Sequence, residues 1–154
     1  MSAITFRVSG DPKGQPRPRA FARKMGNKFV ARVFDAGTAE EWKGLIAVAA
    51  RPHTPATPFL GPVSVCSTFI FARPNKHFVA NNPARPLRAD APAWHTNKPD
   101  RDNLEKALLD ALTQLGGFWR DDAQVCAGEV RKAYGNTPGV IVTIKSAEEV
   151  ENGR

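Results

Sequence analysis

The sequence predicts one domain of the α/β (α+β) class, with a mixed sheet of four to six strands and two main helices. Residues 4–8 alternate apolar and polar side chains, which is typical of a strand with one buried face. Residues 62–71 are almost uncharged and rich in β-branched and aromatic residues, which favours a central strand. Leucines and alanines recur at helical spacing over residues 104–115, which predicts a helix that stops at Gly116-Gly117.

The remaining elements follow from the same signals and from the turn residues between them. Prolines and a glycine among basic residues predict an extended arm, and Thr38 followed by Glu41 predicts the start of a helix. The length of 154 residues suits a single domain over residues 1–145, followed by an acidic tail over residues 146–154. In order, we expect an arm over residues 11–23, a strand over 28–34, a helix over 38–51, an irregular excursion over 73–98, and strands over 123–134 and 139–145.

The charge is distributed unevenly along the chain. There are 22 basic and 15 acidic residues, which give a formal charge of +7. Residues 1–51 sum to +6 and residues 52–101 to +4, whereas residues 102–154 sum to −3. A basic two thirds of the chain favours a surface that faces phosphates, although a solvated loop explains the same charges. The candidate phosphate contacts are Lys13, Arg17, Arg19, Arg73, Lys76 and Arg85.

Cysteine content and hydropathy exclude several classes of protein. The two cysteines, Cys66 and Cys126, are sixty positions apart, which excludes a CxxC redox motif, a Cys-rich zinc site and a disulfide framework. The sequence has no run of 18 or more apolar residues, and its first residues lack the apolar stretch of a signal peptide. We therefore expect a cytoplasmic protein that has no membrane partner and no small-molecule cofactor.

Carboxylates and a lysine are concentrated at the predicted second helix and at the strand after it. Asp100 and Asp102 stand at the start of the helix, and Lys106 follows one turn beyond Asp102. Because side chains four residues apart share a helix face, Lys106 should project along the same face as Asp102. Asp121 and Asp122 precede the next strand, where at least one of them could meet the first pair. Three carboxylates around one point bind hard cations such as Mg²⁺ or Mn²⁺.

A purely structural explanation of these acids competes with the metal site. Asp102 and Glu105 form a capping-box pattern, and Asp100 would also suit the positive end of the helix dipole. Asp121 and Asp122 are equally typical of a turn. Caps and turns are the commoner explanation for either pair alone. The combination of a split acidic cluster, a lysine within reach and a basic remainder favours a metal site that contacts nucleic acid.

The run HTNKPDRDNLEKALLDALTQLGGFWRDDAQV, residues 95–125, resembles the signature of the RusA family of Holliday junction resolvases. In that signature a KPD-x-DNL-x-K-ALxDAL helix leads into a W-x-DD-x-Q-V strand. The GDPKGQPRPRA arm, the ARPNKHF segment and the order of elements are also similar to the family, so the resemblance spans nearly the whole chain. One departure is Arg101, which stands where the family usually has an apolar residue.

The resemblance implies an activity and a set of site residues. The metal-binding catalytic residues would be Asp100, Asp102 and Asp122, with Lys106 as the essential basic group and Asp121 as an auxiliary or structural acid. The implied reaction is hydrolysis of DNA phosphodiesters with Mg²⁺, or Mn²⁺ as its substitute. Paired symmetric nicks would resolve four-way junctions in recombination and repair. Because one chain supplies one acidic cluster, two symmetric cuts require a two-fold homodimer, and the family is dimeric.

Two other functions fit parts of the sequence. Pro99-Asp100 is compatible with a restriction-like nuclease of the PD…(D/E)xK type, but residues 129–132 are spaced one residue too long and Asp100 begins a helix. The basic arm, with aromatic residues such as Phe78 and Trp94, suits a nucleic-acid-binding module without catalysis. A magnesium-dependent cleavage assay separates the last of these from a nuclease.

Overall fold

The fold is described by a computed structural model that covers residues 2–16, 19–25, 28–34 and 39–148, with side chains for residues 2–16 and 39–148. The predictions for Thr38, Arg17 and the last part of the acidic tail concern residues outside the described part of the chain. Within these segments the elements are β1 (Ile4–Ser9), β2 (Arg19–Met25), β3 (Lys28–Phe34), α1 (Ala39–Ala50), β4 (Val63–Phe71), α2 (Arg101–Leu115), β5 (Val125–Ala127), β6 (Val130–Tyr134) and β7 (Gly139–Ser146).

Five of the strands form one mixed sheet around β4. β7 pairs antiparallel with β1 on one side and with β4 on the other. β5 and β6 pair in parallel with successive parts of β4, and β2 and β3 form a separate antiparallel pair. The predicted α+β class, with a mixed sheet of four to six strands and two main helices, is therefore confirmed.

Both helices contribute their apolar faces to the core on the sheet. Leu104, Leu108 and Leu112 recur every four residues along α2 and are fully buried, as are Trp42 and Ile46 of α1 apart from a trace of exposure. Burial of each such side chain contributes about 1.5–3 kcal/mol to folding. Among the described residues, no helix is long and apolar enough to cross a bilayer.

The expected arm over residues 11–23 is only partly irregular. Residues 11–16 have no regular structure, but Arg19–Met25 forms β2 and pairs with Lys28–Phe34. The prolines of this region end at Pro18, so every residue from Arg19 onwards has a backbone N–H for a strand ladder. The predicted arm therefore extends too far, because residues 19–23 belong to β2, and that part of the prediction is wrong.

The strand expected over residues 123–134 is divided into a turn and two strands. Asp122–Gln124 forms a single 3₁₀ turn, and the pairing with β4 is interrupted between β5 and β6 at Gly128. Gly128 has a φ of +125°, and a Cβ at this position would collide with the carbonyl oxygen of Val65. Only glycine fits there. The β-branched residues Val125 and Val130 on either side favour a strand, so the sequence pattern predicts one continuous strand across the break.

The irregular excursion between β4 and α2 returns along the edge of the sheet. The amide of Tyr134 donates to the carbonyl of Ala93 at 3.0 Å, and the amide of His95 donates to the carbonyl of Lys132 at the same distance. These bonds place residues 93–95 beside β6. They therefore fix the direction in which the chain enters α2, where the predicted acidic residues begin.

Candidate active site

Asp100 stands immediately before α2 with an extended backbone, and its side chain does not cap the helix. Its two carboxylate oxygens instead face the Nζ of Lys98, at 2.8 Å from Oδ1 and 2.9 Å from Oδ2. Because the helix begins at Arg101, Asp102 is its second residue and cannot be the N-cap of a capping box with Glu105. Helix capping therefore does not explain either acid.

A second lysine lies close to Asp100. Lys132 projects from β6, and its Nζ donates to the backbone carbonyl of Asn97 at 2.7 Å. Burial lowers the pKa of Lys132, while attraction to Asp100 opposes this and repulsion from Lys98 adds to it. Asp100 thus lies within electrostatic reach of two ammonium groups, one on its own segment and one from the sheet.

Asp122, in the 3₁₀ turn after α2, lies near a different set of charges, some of which come from α2. Burial raises the pKa of Asp122, and the carboxyl groups of Asp121 and Asp110 raise it further, whereas Lys106 lowers it. The Nζ of Lys106 is 3.6 Å from Oδ2 of Asp110, one helical turn away. We call Lys106, Asp110, Asp121 and Asp122 the Asp122 group. The sequence predicted three of its members and missed Asp110, although this residue is the aspartate of the ALxDAL motif.

Asp121 holds the turn that carries Asp122. Its Oδ1 accepts from the backbone amide of Ala123 at 2.8 Å, and the Gln124 side chain accepts in return from the Asp121 amide at 3.2 Å. The Asp121 side chain also accepts from the backbone amide of Gln124, and this bond and the one from the Asp121 amide to Gln124 form a capping box around the 3₁₀ turn. Of the two adjacent carboxylates, that of Asp121 therefore serves the backbone.

Gln124 connects this turn to the loop before β4. Its Nε2 donates to the backbone carbonyls of Phe59 and Gly61, both at 2.9 Å, while its Oε1 also accepts from the amide of Arg120 at 2.8 Å. One amide side chain thus joins two segments that are more than sixty residues apart in sequence. Gln124 was not singled out from the sequence, although it stands in the quoted W-x-DD-x-Q-V motif.

The arrangement of these acids can be compared with the needs of a divalent cation. Asp100, Asp102 and Asp122 supply carboxylate oxygens, which are the ligands that Mg²⁺ and Mn²⁺ prefer. Among residues 2–16 and 39–148, however, no group of three or more His, Cys, Asp or Glu side chains is arranged to hold a metal ion. Asp100 faces Lys98, and Asp122 faces the other members of the Asp122 group. The donor chemistry of these residues fits a hard cation, although the described side chains are not gathered around one point.

The arm lies directly against the start of α2. The amide of Gln15 donates to the carbonyl of Asn103 at 2.8 Å. A Cβ on Gly14 would lie 3.0 Å from Cβ of Asn103 and 3.1 Å from Cβ of Pro99, so the backbone approaches this closely only because residue 14 is glycine. This packing leaves an open cleft of about 500 Å³, lined among others by Pro12, Lys13, Phe71, His95 and Lys98.

The predicted phosphate contacts are placed differently from one another. Lys13 is exposed and lines the cleft beside Asp100, and Lys76 and Arg85 are exposed on the excursion. Arg73 is partly buried, because its guanidinium donates to the carbonyl of Pro92 at 2.7 Å and lies 5.4 Å above the ring of Tyr134. The side chain of Arg19, on β2, lies outside the described part of the structure, as does Arg17.

Two buried histidines complete the wall behind the cleft. The ring of His95 stacks on that of Phe71 with centroids 3.8 Å apart, and both His95 and His77 meet the ring of Tyr134 edge-on. Burial lowers the pKa of each histidine, and neighbouring cations lower it further, namely Arg73 for His77 and Lys132 for His95. Both rings are therefore harder to protonate in the folded protein than a free imidazole.

Comparison with known proteins gives a consistent result. The family model described as Endodeoxyribonuclease RusA matches residues 9–145, which include the arm, both helices, strands β2 to β6 and both acidic segments. The chain is also 35% identical over 146 residues to Uncharacterized protein YqaN of Bacillus subtilis (strain 168), an alignment that covers 94% of this chain and 97% of that protein. The resemblance predicted from the sequence is confirmed, and the chain belongs to the RusA endodeoxyribonuclease family.

Proposed function

We propose that this protein is a structure-selective endodeoxyribonuclease that resolves Holliday junctions in recombination and repair, with Mg²⁺ as its cofactor and Mn²⁺ as a substitute. The observation that carries the proposal is the environment of Asp100. This carboxylate stands at the N-cap position without capping the helix, and it is surrounded by cationic side chains from two different segments. Such an arrangement suits an acid that must operate beside a polyanion.

Asp100, Asp102 and Asp122 would hold the cation, which would polarise the scissile phosphate and lower the pKa of an attacking water. Lys106 would act on the same phosphate. It lies about 6 Å along the helix axis from Asp102, and its charge already acts on Asp122. We assign it the role of orienting the water or stabilising the negative charge that develops in the transition state.

The substrate surface would run along the cleft and the arm. Lys13 faces this cleft, and its ammonium has no ion-pair partner among residues 2–16 and 39–148. With Arg17, Arg19, Lys76 and Arg85 it would bind phosphates of the junction arms, and Arg73 would support this surface through its contacts within the excursion. A homodimer would supply the second acidic cluster, so that two strands are cut symmetrically.

The experiment uses a synthetic four-way junction and a linear duplex of the same sequence. The wild-type protein should nick two opposite strands of the junction in Mg²⁺ or Mn²⁺, leave the duplex uncut, and lose activity in EDTA. Asp102→Asn should bind the junction and fail to cut it, and light scattering should give the mass of two chains. Lys145→Ala, near the C-terminal end of β7, is the control. Cleavage that survives Asp102→Asn, or equal cutting of the duplex, would contradict the proposal.

A further inference from the structure

The ammonium group of Lys98 lies against both carboxylate oxygens of Asp100. Its Nζ is nearly equidistant from the two carboxylate oxygens, at 2.8 and 2.9 Å. A single charge placed between both oxygens of a carboxylate neutralises it in the way that a chelated metal ion does. In the DNA-free protein Asp100 is therefore already paired.

The pair is built so that the lysine can leave. The Lys98 side chain is 86% exposed, whereas that of Asp100 is 47% exposed. An exposed ion pair contributes little to stability, because water screens the attraction and the long lysine side chain loses entropy when it is held. The neighbouring Lys132 is different, since it is partly buried and its Nζ is bonded to a backbone carbonyl.

The Lys98 ammonium group could also bind a phosphate in the cleft. It lines the same cleft as Lys13, and this cleft is open to solvent beside Asp100. The apolar part of the wall comes from Phe71 and the prolines, which suits a deoxyribose, and the two ammonium groups suit the adjoining phosphate. A phosphate in the cleft would draw Lys98 away from the carboxylate.

We propose that Lys98 is an exchangeable counter-ion of Asp100, which it leaves for a DNA phosphate in the cleft when a divalent cation binds the carboxylate. This inference rests on the proposed function. The charges balance, because the cation replaces the ammonium at Asp100 and the ammonium then pairs with the phosphate. DNA and cation therefore bind with positive coupling, and each raises the affinity for the other by the same factor. In the absence of DNA, Lys98 competes with the cation.

The first measurement is Mn²⁺ affinity of the DNA-free protein, by electron paramagnetic resonance of the free ion. Lys98→Ala should raise the affinity about two- to fivefold, which is the range expected for loss of one exposed ion pair. Lys98→Arg, which keeps the competing charge, should not exceed the wild type. Lys13→Ala removes the same charge from the same cleft and controls for the general electrostatic field, so it should have a smaller effect than Lys98→Ala.

The second measurement is junction affinity in EDTA and in Ca²⁺, with a gel to show that the DNA stays uncut. Ca²⁺ should tighten binding by the wild type, and the gain should be about two- to fivefold smaller in Lys98→Ala.

Equal Mn²⁺ affinities of wild type and Lys98→Ala, or an equal rise in Lys13→Ala, would overturn the counter-ion role while junction cleavage by the wild type remained. If Asp100→Asn left Mn²⁺ binding unchanged in the presence and absence of DNA, the metal-dependent part of the proposed function would fail, and the exchange would fail with it.

Discussion

The side-chain amide of Gln124 donates to the backbone carbonyl of Phe59 at 2.9 Å and so ties the turn that carries Asp122 to the loop before β4. The same Nε2 also donates to the carbonyl of Gly61. The amide of Phe59 also donates to the carbonyl of Phe118 at 2.8 Å, so these side-chain bonds reinforce a backbone contact between the same two segments. Gln124 therefore supports the position of Asp122 from two residues away, and it need not touch the substrate.

Replacement of Gln124 should separate positioning from stability. Gln124→Ala leaves two carbonyls without this donor and should lower the free energy of unfolding by about 1–3 kcal/mol. Because Asp122 loses its support, kcat for junction cleavage should fall about 10- to 100-fold, with a smaller change in KM. Urea unfolding and steady-state cleavage measure the two effects. Gln114→Ala, an exposed glutamine on α2, is the matched control, and equal kcat values for the two variants would refute the positioning role.

The adjacent acids Asp121 and Asp122 should respond differently to the same substitution. Asparagine keeps the acceptor oxygen with which Asp121 caps the turn, so Asp121→Asn should fold normally and retain cleavage within about tenfold. Asp122→Asn removes a proposed ligand carboxylate and should lower kcat about 100-fold or more. Single-turnover cleavage of a four-way junction measures both. A larger loss in Asp121→Asn than in Asp122→Asn would reverse the assignment.

The basic arm should contribute to affinity without sequence preference. If Lys13, Arg17 and Arg19 each contact a phosphate, replacing all three with alanine should reduce the slope of log K against log salt concentration by about 2.7. Filter binding to the junction between low and moderate salt measures this slope, with Lys145→Ala as the control. An unchanged affinity and slope would remove the arm from the DNA-binding surface.

Two glycines offer a matched test of the fold. Gly128→Ala should lower the free energy of unfolding by about 3 kcal/mol or more, because its φ is +125° and the added methyl group would meet the backbone of Val65. Gly44 lies inside α1, and a Cβ there has open space within 4 Å. Gly44→Ala should therefore raise the free energy of unfolding by about 0.5–1 kcal/mol. Urea denaturation of both variants measures these values, and similar effects of the two changes would contradict the strand break.

Because His77 and His95 are buried, we expect the free energy of unfolding to decrease at acidic pH. Since burial holds the pKa of His95 and His77 below the ordinary value of 6.5, the unfolded chain binds more protons than the native state just below that pH. Above pH 6.5 these histidines do not reduce the free energy of unfolding. Below pH 6.5 the free energy of unfolding decreases as the pH falls towards the lowered pKa values of the native state. His95→Phe keeps a ring on Phe71 and should weaken this dependence. Urea unfolding at pH 7.5 and 5.5 tests it, and identical pH dependence in the variant would exclude His95 as a contributor.

The elements with a strong local period could be predicted from the sequence, and those that depend on a single contact could not. α2 and β4 have continuous patterns, which predict β4 to within one residue and α2 to within three residues of the observed ends. The break at Gly128 depends on the distance to Val65, which no local pattern encodes. β2 could not be predicted from its own composition, because it is a strand through its pairing with β3.

The same distinction applies to the candidate site. Asp100, Asp102 and Lys106 are near one another in sequence, so their placement at the start of α2 could be predicted from helical spacing. The second cation at Asp100 could not, because Lys132 comes from β6 and reaches this position only through the pairing of the sheet. A cap by Asp102 is the competing explanation, and it fails because the helix begins two residues earlier than that cap requires.

The hydrogen bond between Gln15 and Asn103 joins parts of the chain that are 88 positions apart. The acidic residues at the start of α2 and part of the cleft beside them therefore come from separate parts of the sequence. A fragment that begins at the first helix would keep every aspartate discussed above, yet it would lose the wall that carries Lys13. A search that recognises such nucleases by the acidic helix alone would accept this fragment, although it lacks both β1 and Lys13.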